Sequence, residues 1–183
     1  MSDYNMGNRF LDPEKVLFRA GLAMGQTLVD LGAGSGHYAL AAGKIVGQKG
    51  KVFVVDVLET ALAHVSADAR LRKLKNIHTI QADLEKASSI KQVPEGMADM
   101  VLFANVFHQI QNHQGMLSEA YRALKTGGKI LLIEWNENPS PIGPKIADRI
   151  NMDKIKKFFT DAGLKFENAV ETDSYHYGMV FIK

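Results

Sequence analysis

At 183 residues the chain suits one domain, large enough to bury roughly two thirds of the surface its unfolded form exposes. Its 22 basic and 20 acidic side chains leave a formal net charge of +2, which argues against a nucleic-acid partner. The absence of cysteine excludes disulfides, thiolate nucleophiles and Cys-ligated metal.

No run of about 18 uncharged apolar residues could form a membrane span. The opening Met1-Ser2-Asp3-Tyr4-Asn5 has neither a basic nor an apolar leader region, so a cytoplasmic protein is expected. Strand-like and helix-like segments then alternate, the pattern of an α/β fold. A helix opens at Asp12-Pro13, with Asp as N-cap and Pro in the first turn, and ends near Gly21. Gln26 to Leu31 reads as a strand, the turn Gly32 to Gly36 follows, and a helix runs from His37 to Val46. Lys51 to Asp56 is the second strand, Glu59 to Leu74 a helix, Asn76 to Gln81 the third strand and Ala98 to Asn105 the fourth. A helix over Gln114 to Leu124 leads to a fifth strand, Lys129 to Trp135. These apolar, β-branched runs suit strands buried on both faces of a parallel sheet. The basic cluster Arg70 to Lys75 falls at a helix end, where cations meet the negative end of the dipole.

The segment Asn136 to Pro144 carries three of the five prolines and reads as a loop. A helix over Asn151 to Ala162 follows, stopped by Gly163. Two last strands, Leu164 to Thr172 and Tyr175 to Ile182, are joined by Asp173-Ser174. That link is too short for a crossover, so the pair is antiparallel. The expected fold is therefore a doubly wound, mostly parallel, seven-stranded sheet with a C-terminal antiparallel hairpin.

Chemistry concentrates where strands end. Asp30-Leu31-Gly32-Ala33-Gly34-Ser35-Gly36 stands between a strand and a helix, where glycines let backbone amides approach a ligand and the helix N-terminus adds positive potential. Asp56 ends the second strand, where doubly wound folds place an acid to accept ribose hydroxyls. Asp83 follows the third strand and is either a second such acid or an N-cap. Ligands of open α/β sheets bind outside the carboxyl ends of the strands, so Gly34, Asp56, Asp83 and Asn105 are expected to converge on one crevice.

These residues resemble the motifs of class I S-adenosylmethionine (SAM)-dependent methyltransferases. Asp30 to Gly36 looks like the first motif, Val54-Val55-Asp56-Val57 the second and Gln81-Ala82-Asp83-Leu84 the third. Asp99 to Asn105 is similar to the fourth-strand motif, and Leu124 to Lys129 to the turn before the fifth strand. The likeness spans Leu11 to Trp135 and is nearest the ubiquinone/menaquinone C-methyltransferase-like branch. It implies one SAM-binding domain over residues 1–183, with a Rossmann-like methyltransferase fold. Asp30 and the loop residues Gly32, Ala33, Gly34 and Gly36 would hold the methionine end of SAM. Asp56 would take the ribose, Val57 would pack on the adenine, Asp83 and Leu84 would border it, and Asn105 would lie near the methionine moiety.

The loop also satisfies the dinucleotide pattern G-x-G-x-x-A through Gly34, Gly36 and Ala39, so an NAD-dependent oxidoreductase is the nearest rival. Asp30, Asp83 and the terminal hairpin favour SAM. On the acceptor side, His108 is the first candidate base, the alternative being a surface histidine capping the next helix. Glu134 and Trp135 could orient and cover an acceptor, or be merely packed. Arg149 is read either as an anion binder or as a surface ion pair with Asp148 or Asp153. Residues 136–150 could wall an acceptor pocket, and residues 1–12, with Tyr4, Asn5 and Phe10, could form a lid or a free tail. His108 and His113 are five apart, the wrong spacing for one helical face, so no metal site is expected. The leading expectation is a small-molecule methyl acceptor. A protein or RNA methyltransferase and a non-catalytic SAM-binding module are the alternatives, and the sequence sets no oligomeric state.

Overall fold

The computed structural model describes residues 11–86 and 88–183. A short helix α1 (Pro13–Arg19) is capped by the Asp12 side chain, which accepts from the Lys15 amide. Then come β1 (Thr27–Leu31), α2 (His37–Val46), β2 (Lys51–Asp56), α3 (Glu59–Leu71) and β3 (Ile77–Gln81). After β4 (Ala98–Ala104) follow α4 (His113–Ala123), β5 (Leu124–Trp135), α5 (Met152–Asp161), β6 (Lys165–Val170) and β7 (His176–Ile182). The sheet order is β3-β2-β1-β4-β5-β7-β6. The first five strands are parallel, and β7 is antiparallel to both β5 and β6. The expected seven-stranded sheet and terminal hairpin are both present.

Two element bounds differ from the sequence reading by three residues or more, each for a local reason. Helix α3 stops at Leu71 because Lys73 takes a positive φ of 57°. The Lys73 and Leu74 amides then turn back to the Arg70 and Ala69 carbonyls, a Schellman ending without glycine. Strand β5 begins at Leu124, which pairs with Ala98 before a register shift; the regular ladder resumes at Lys129 opposite Met100.

Strand side chains alternate between two apolar layers. Leu28, Val52, Val54, Met100, Leu102, Leu131, Ile133 and Val180 pack beneath α1, α2 and α3. Val29, Leu31, Val55, Val101, Phe103, Ile130, Leu132 and Phe181 pack against α4, α5 and the segment carrying Ile90 and Val93. That two-residue period decides which groups at the strand ends can meet. The second layer is centred on Phe159, fully buried, stacked on Phe181 at 4.7 Å between ring centroids and edge-on to Phe103 at 6.3 Å. No helix among the described residues is long and apolar enough to cross a membrane.

Phe159→Ala should cost about 3–5 kcal/mol through lost burial and a cavity that α5 and β7 cannot close. Urea unfolding checks this as a lower midpoint at unchanged slope.

Candidate active site

Parallel strands present their carboxyl ends on one side of the sheet, and β7, running the other way, presents its start there. A cavity of about 790 Å³ opens at that edge, on the face covered by α1 and α2. Its walls come from the start of α1, the turn after β1, the first turn of α2, the end of β4, Trp135 of β5 and His176 of β7.

The turn after β1 is shaped by backbone sterics. Gly32, Gly34 and Gly36 have φ of +78°, +52° and +74°, a region that L side chains rarely adopt. A Cβ on Gly32 would lie 2.3 Å from Val106, and one on Gly36 2.3 Å from Val65, whereas one on Gly34 would meet no atom within 4 Å. Two of these glycines let the core close behind the turn, and the third keeps space open in front of it. The Gly32 and Ala33 amides bond the Val55 carbonyl, and the Gly36 amide bonds that of Ala33. The Gly34 amide donates to Asp56 Oδ2 at 2.8 Å, so the carboxylate that ends β2 faces the glycine turn. Asp56 Oδ1 accepts from the Leu58 amide at 2.9 Å.

Asp30 is 2% exposed, with no cationic partner among the described residues. Burial, and then the charge of Asp56, push its carboxyl up to about 7, against a lowering contribution from the Ala39 backbone amide. Tyr38 stands on the same wall. Its hydroxyl is buried without a hydrogen-bond partner among the described residues, and its phenol is pushed up by burial and then by Asp30, Asp173 and Asp12.

Asn105 ends the β4 side in a left-handed conformation, φ 56°. Its Nδ2 lies 3.1 Å from His176 Nε2, and its buried Oδ1 has no partner among the described residues. His176 Nδ1 is 2.7 Å from Asp173 Oδ1. Its ring also packs on Trp135, centroids 4.1 Å apart.

Of the residues singled out from sequence, Asp30, Gly32, Ala33, Gly34, Asn105 and Trp135 line the cavity. Asp56 reaches its edge through Gly34. Val57, 55% exposed, and Asp83 lie outside the cavity at the ends of β2 and β3, and Leu84 is buried in the core. Asp83 accepts from the Glu85 amide and pairs with Lys86 at 3.4 Å, so it caps the local turn as well as ending the strand. Tyr4, Asn5 and Phe10 lie outside the described residues.

Three residues considered for the acceptor side, Glu134, His108 and Arg149, do not line the cavity. Glu134 alternates with Trp135 and so lies on the opposite face. Only 1% exposed, its carboxylate accepts from the amides of Phe107, His108 and Trp135. His108 does not line the cavity; its Nδ1 pairs with Glu134 Oε2 at 2.9 Å, in a short 3-10 turn that carries it off the edge. Arg149 makes no ion pair with Asp148 or Asp153. Its guanidinium donates to the carbonyls of Pro144, Asn136 and Asn138 and lies 5.5 Å from the Trp135 ring, which ties the 136–150 segment down. From that segment Ile142 reaches the cavity.

Tyr38, Asp173 and His176 were not singled out from sequence. For the last two a signal was available, because an antiparallel strand appended to a parallel sheet starts at the ligand-binding edge.

A family model described as a methyltransferase domain matches residues 22–175. Among curated proteins, the ubiquinone/menaquinone biosynthesis C-methyltransferase UbiE of Ectopseudomonas mendocina is 28% identical over 86% of this chain and 58% of its own length. That of Azotobacter vinelandii is 26% identical over 86% and 59%. The chain thus spans about three fifths of the length of these relatives. Among solved structures, a SAM dependent methyltransferase from Aquifex aeolicus superposes with a TM-score of 0.86 at 28% identity, covering 94% of this chain and 90% of that one. A putative type 11 methyltransferase from Sulfolobus solfataricus gives 0.74 at 26% identity, over 94% and 92%. With the family match running from before β1 to the start of β7, the chain belongs to the methyltransferase-domain family.

Proposed function

We propose that the chain, acting as one domain over residues 1–183, transfers the methyl group of SAM to a small molecule held in the cavity. One observation carries this reading: Asp30 is a buried carboxylate without a cation among the described residues, beside a glycine turn with empty space in front of Gly34. A ligand with a positively charged sulfur and ammonium group supplies the missing charge, and the partnerless Tyr38 hydroxyl and Asn105 Oδ1 stand ready for polar contacts. Bound there, SAM would supply an electrophilic methyl group on a sulfonium that leaves as a neutral thioether.

Asp30 and residues 32–36 would hold the amino-acid end, with Asn105 alongside. Asp56 keeps lone pairs beyond its two amide bonds and would accept the ribose hydroxyls. Exposed Val57 and the end of β3 at Asp83 would border the adenine, and Leu84 would support that wall from the core. Trp135 and Ile142 give the cavity an apolar side suited to a planar acceptor. The printed names of the UbiE relatives support an aromatic or quinone-like acceptor.

A groove lined by Lys44, Lys49, Lys51, Lys73 and Lys75 would suit a polyanion such as RNA. It lies at the opposite end of β2 and β3 from the cavity, which favours the small-molecule reading.

Calorimetry should show saturable binding of SAM and S-adenosylhomocysteine. Asp56→Ala should weaken it roughly 10- to 100-fold through the loss of a charged acceptor. Heat with NAD and none with either SAM-type ligand would sink the assignment.

Asp30→Asn should separate folding from binding. The folded carboxyl sits near 7, above its ordinary 3.8, so the native state holds the proton more tightly. That contribution to stability is complete below about pH 4 and declines by up to about 1.4 kcal/mol per pH unit as the pH rises towards 7. The variant should therefore gain stability over wild type at pH 8 but not at pH 4, while binding SAM more weakly at pH 8. Equal urea midpoints for the two proteins at pH 8 would contradict this.

A further inference from the structure

The cavity wall opposite the glycine turn holds a second set of polar groups that cofactor binding does not use. Asp173, in the hairpin turn, has a side chain 3% exposed, and that of His176, the first residue of β7, is 6% exposed. A carboxylate can only accept, so the 2.7 Å contact places a proton on Nδ1 and leaves Nε2 to be decided by its own neighbour. Nε2 faces the Asn105 amide nitrogen, a donor, at 3.1 Å and so keeps its lone pair, the arrangement of a neutral imidazole. The hairpin is built to hold this pair. Asp173 Oδ1 also accepts from the Tyr175 amide, and Thr172 Oγ1 donates to the His176 carbonyl. Trp135 flanks the ring.

We propose that His176 is the proton acceptor of the methyl-transfer reaction, positioned by Asp173, and that the methyl acceptor is an uncharged hydroxyl compound of phenol type. This rests on the methyl-transfer reading above. An acceptor O–H entering the cavity replaces the Asn105 amide as donor to Nε2. The O–H bond breaks and its proton passes to Nε2. The oxygen, or a ring carbon conjugated with it, uses its electron pair to bond the methyl carbon, and the pair of the broken carbon–sulfur bond stays on sulfur. Where carbon is methylated, the proton it carried then passes to solvent, its bonding pair restores the ring, and the oxygen, again a phenolate, takes a proton back from the His176 imidazolium. The imidazolium formed is stabilised by Asp173, and rotation of the Asn105 amide offers it the otherwise partnerless Oδ1.

The ionisable groups on the other walls agree with this direction of transfer. Among the described residues of those walls, Asp12 and Glu14 of α1 are paired with Lys15 and Lys44, Arg72, past α3, is paired with Asp68, and Asp30 of β1 has no cationic side chain beside it; His37 and Tyr38 of α2 complete the set. Asp30 and Asp173, which no lysine or arginine among the described residues pairs, favour a protonated His176 and disfavour an anionic acceptor. Arg149, the other arginine near this wall, spends its guanidinium on backbone carbonyls. The Trp135 and His176 rings, in contact at an angle of 41°, fit a flat, weakly polar ring together with Ile142.

The test uses 4-nitrophenol, whose ionised form absorbs visible light, added to the whole chain saturated with S-adenosylhomocysteine near neutral pH. Wild type should bind it saturably and raise its phenolate fraction above that of free solution. His176→Gln should abolish that rise and Asp173→Asn should reduce it, both keeping S-adenosylhomocysteine affinity within about twofold. The ¹⁵N imidazole spectrum should show His176 in the Nδ1–H tautomer in wild type and a mixture of tautomers in Asp173→Asn. Turnover of any phenolic acceptor should fall roughly 10²- to 10⁴-fold in His176→Gln. Failure of wild type to bind S-adenosylhomocysteine overturns the methyl-transfer reading and this role with it. Cofactor binding without saturable 4-nitrophenol binding, or with equal ionisation on His176→Gln, overturns the His176 assignment alone.

Discussion

Everything at the ligand-binding edge follows from the two-residue period of a sheet covered on both sides. Leu28, Met100, Leu102, Leu131, Ile133 and Val180 belong to the layer under α1 and α2, and counting on in twos brings Asp30, Ala104, Trp135 and His176 to the cavity. The same count sends Glu134 to the other layer, where amides surround it. One residue of slippage in β5 would exchange the indole and the carboxylate and fill the cavity with charge. The apolar residues earlier in each strand fix that register, so core packing and site geometry are two results of one alternation.

Electrostatically, the site is unfinished without a ligand. Asp30 and Asp56 both stand beside the glycine turn, and Asp173 lies on the hairpin side, yet no lysine or arginine among the described residues pairs with any of them; at the same opening Lys15 pairs with Asp12, Lys44 with Glu14 and Arg72 with Asp68. Native stability is surrendered here, since burying a carboxylate without a partner opposes folding. A compact cation of matching shape recovers it.

The sequence made legible whatever is encoded locally. The glycine turn, the acids that end β1 and β2, the capped start of α1 and the hairpin all have short-range signatures, and each stands close to its expected place. The fold class was readable because alternating elements and a two-residue link leave few topologies. What escaped was set by the third dimension. His108 was read as leaving β4 beside the ligand, but the 3-10 turn after Val106 carries it to Glu134. Arg149 looked like a surface charge, yet it gathers three carbonyls of the preceding loop, a role that no spacing rule announces. Asp173 and His176 lie about 70 residues downstream of Asn105 and meet it only because β7 inserts between β5 and β6.

The position of Leu11 and Asp12 on the cavity wall has a practical side. At the far end of the chain, Lys183 is stitched to Gly127 and Gly128, where β7 finishes away from the opening. A purification handle joined after Lys183 therefore leaves the molecule on the side remote from the chamber, clear of any compound titrated into it.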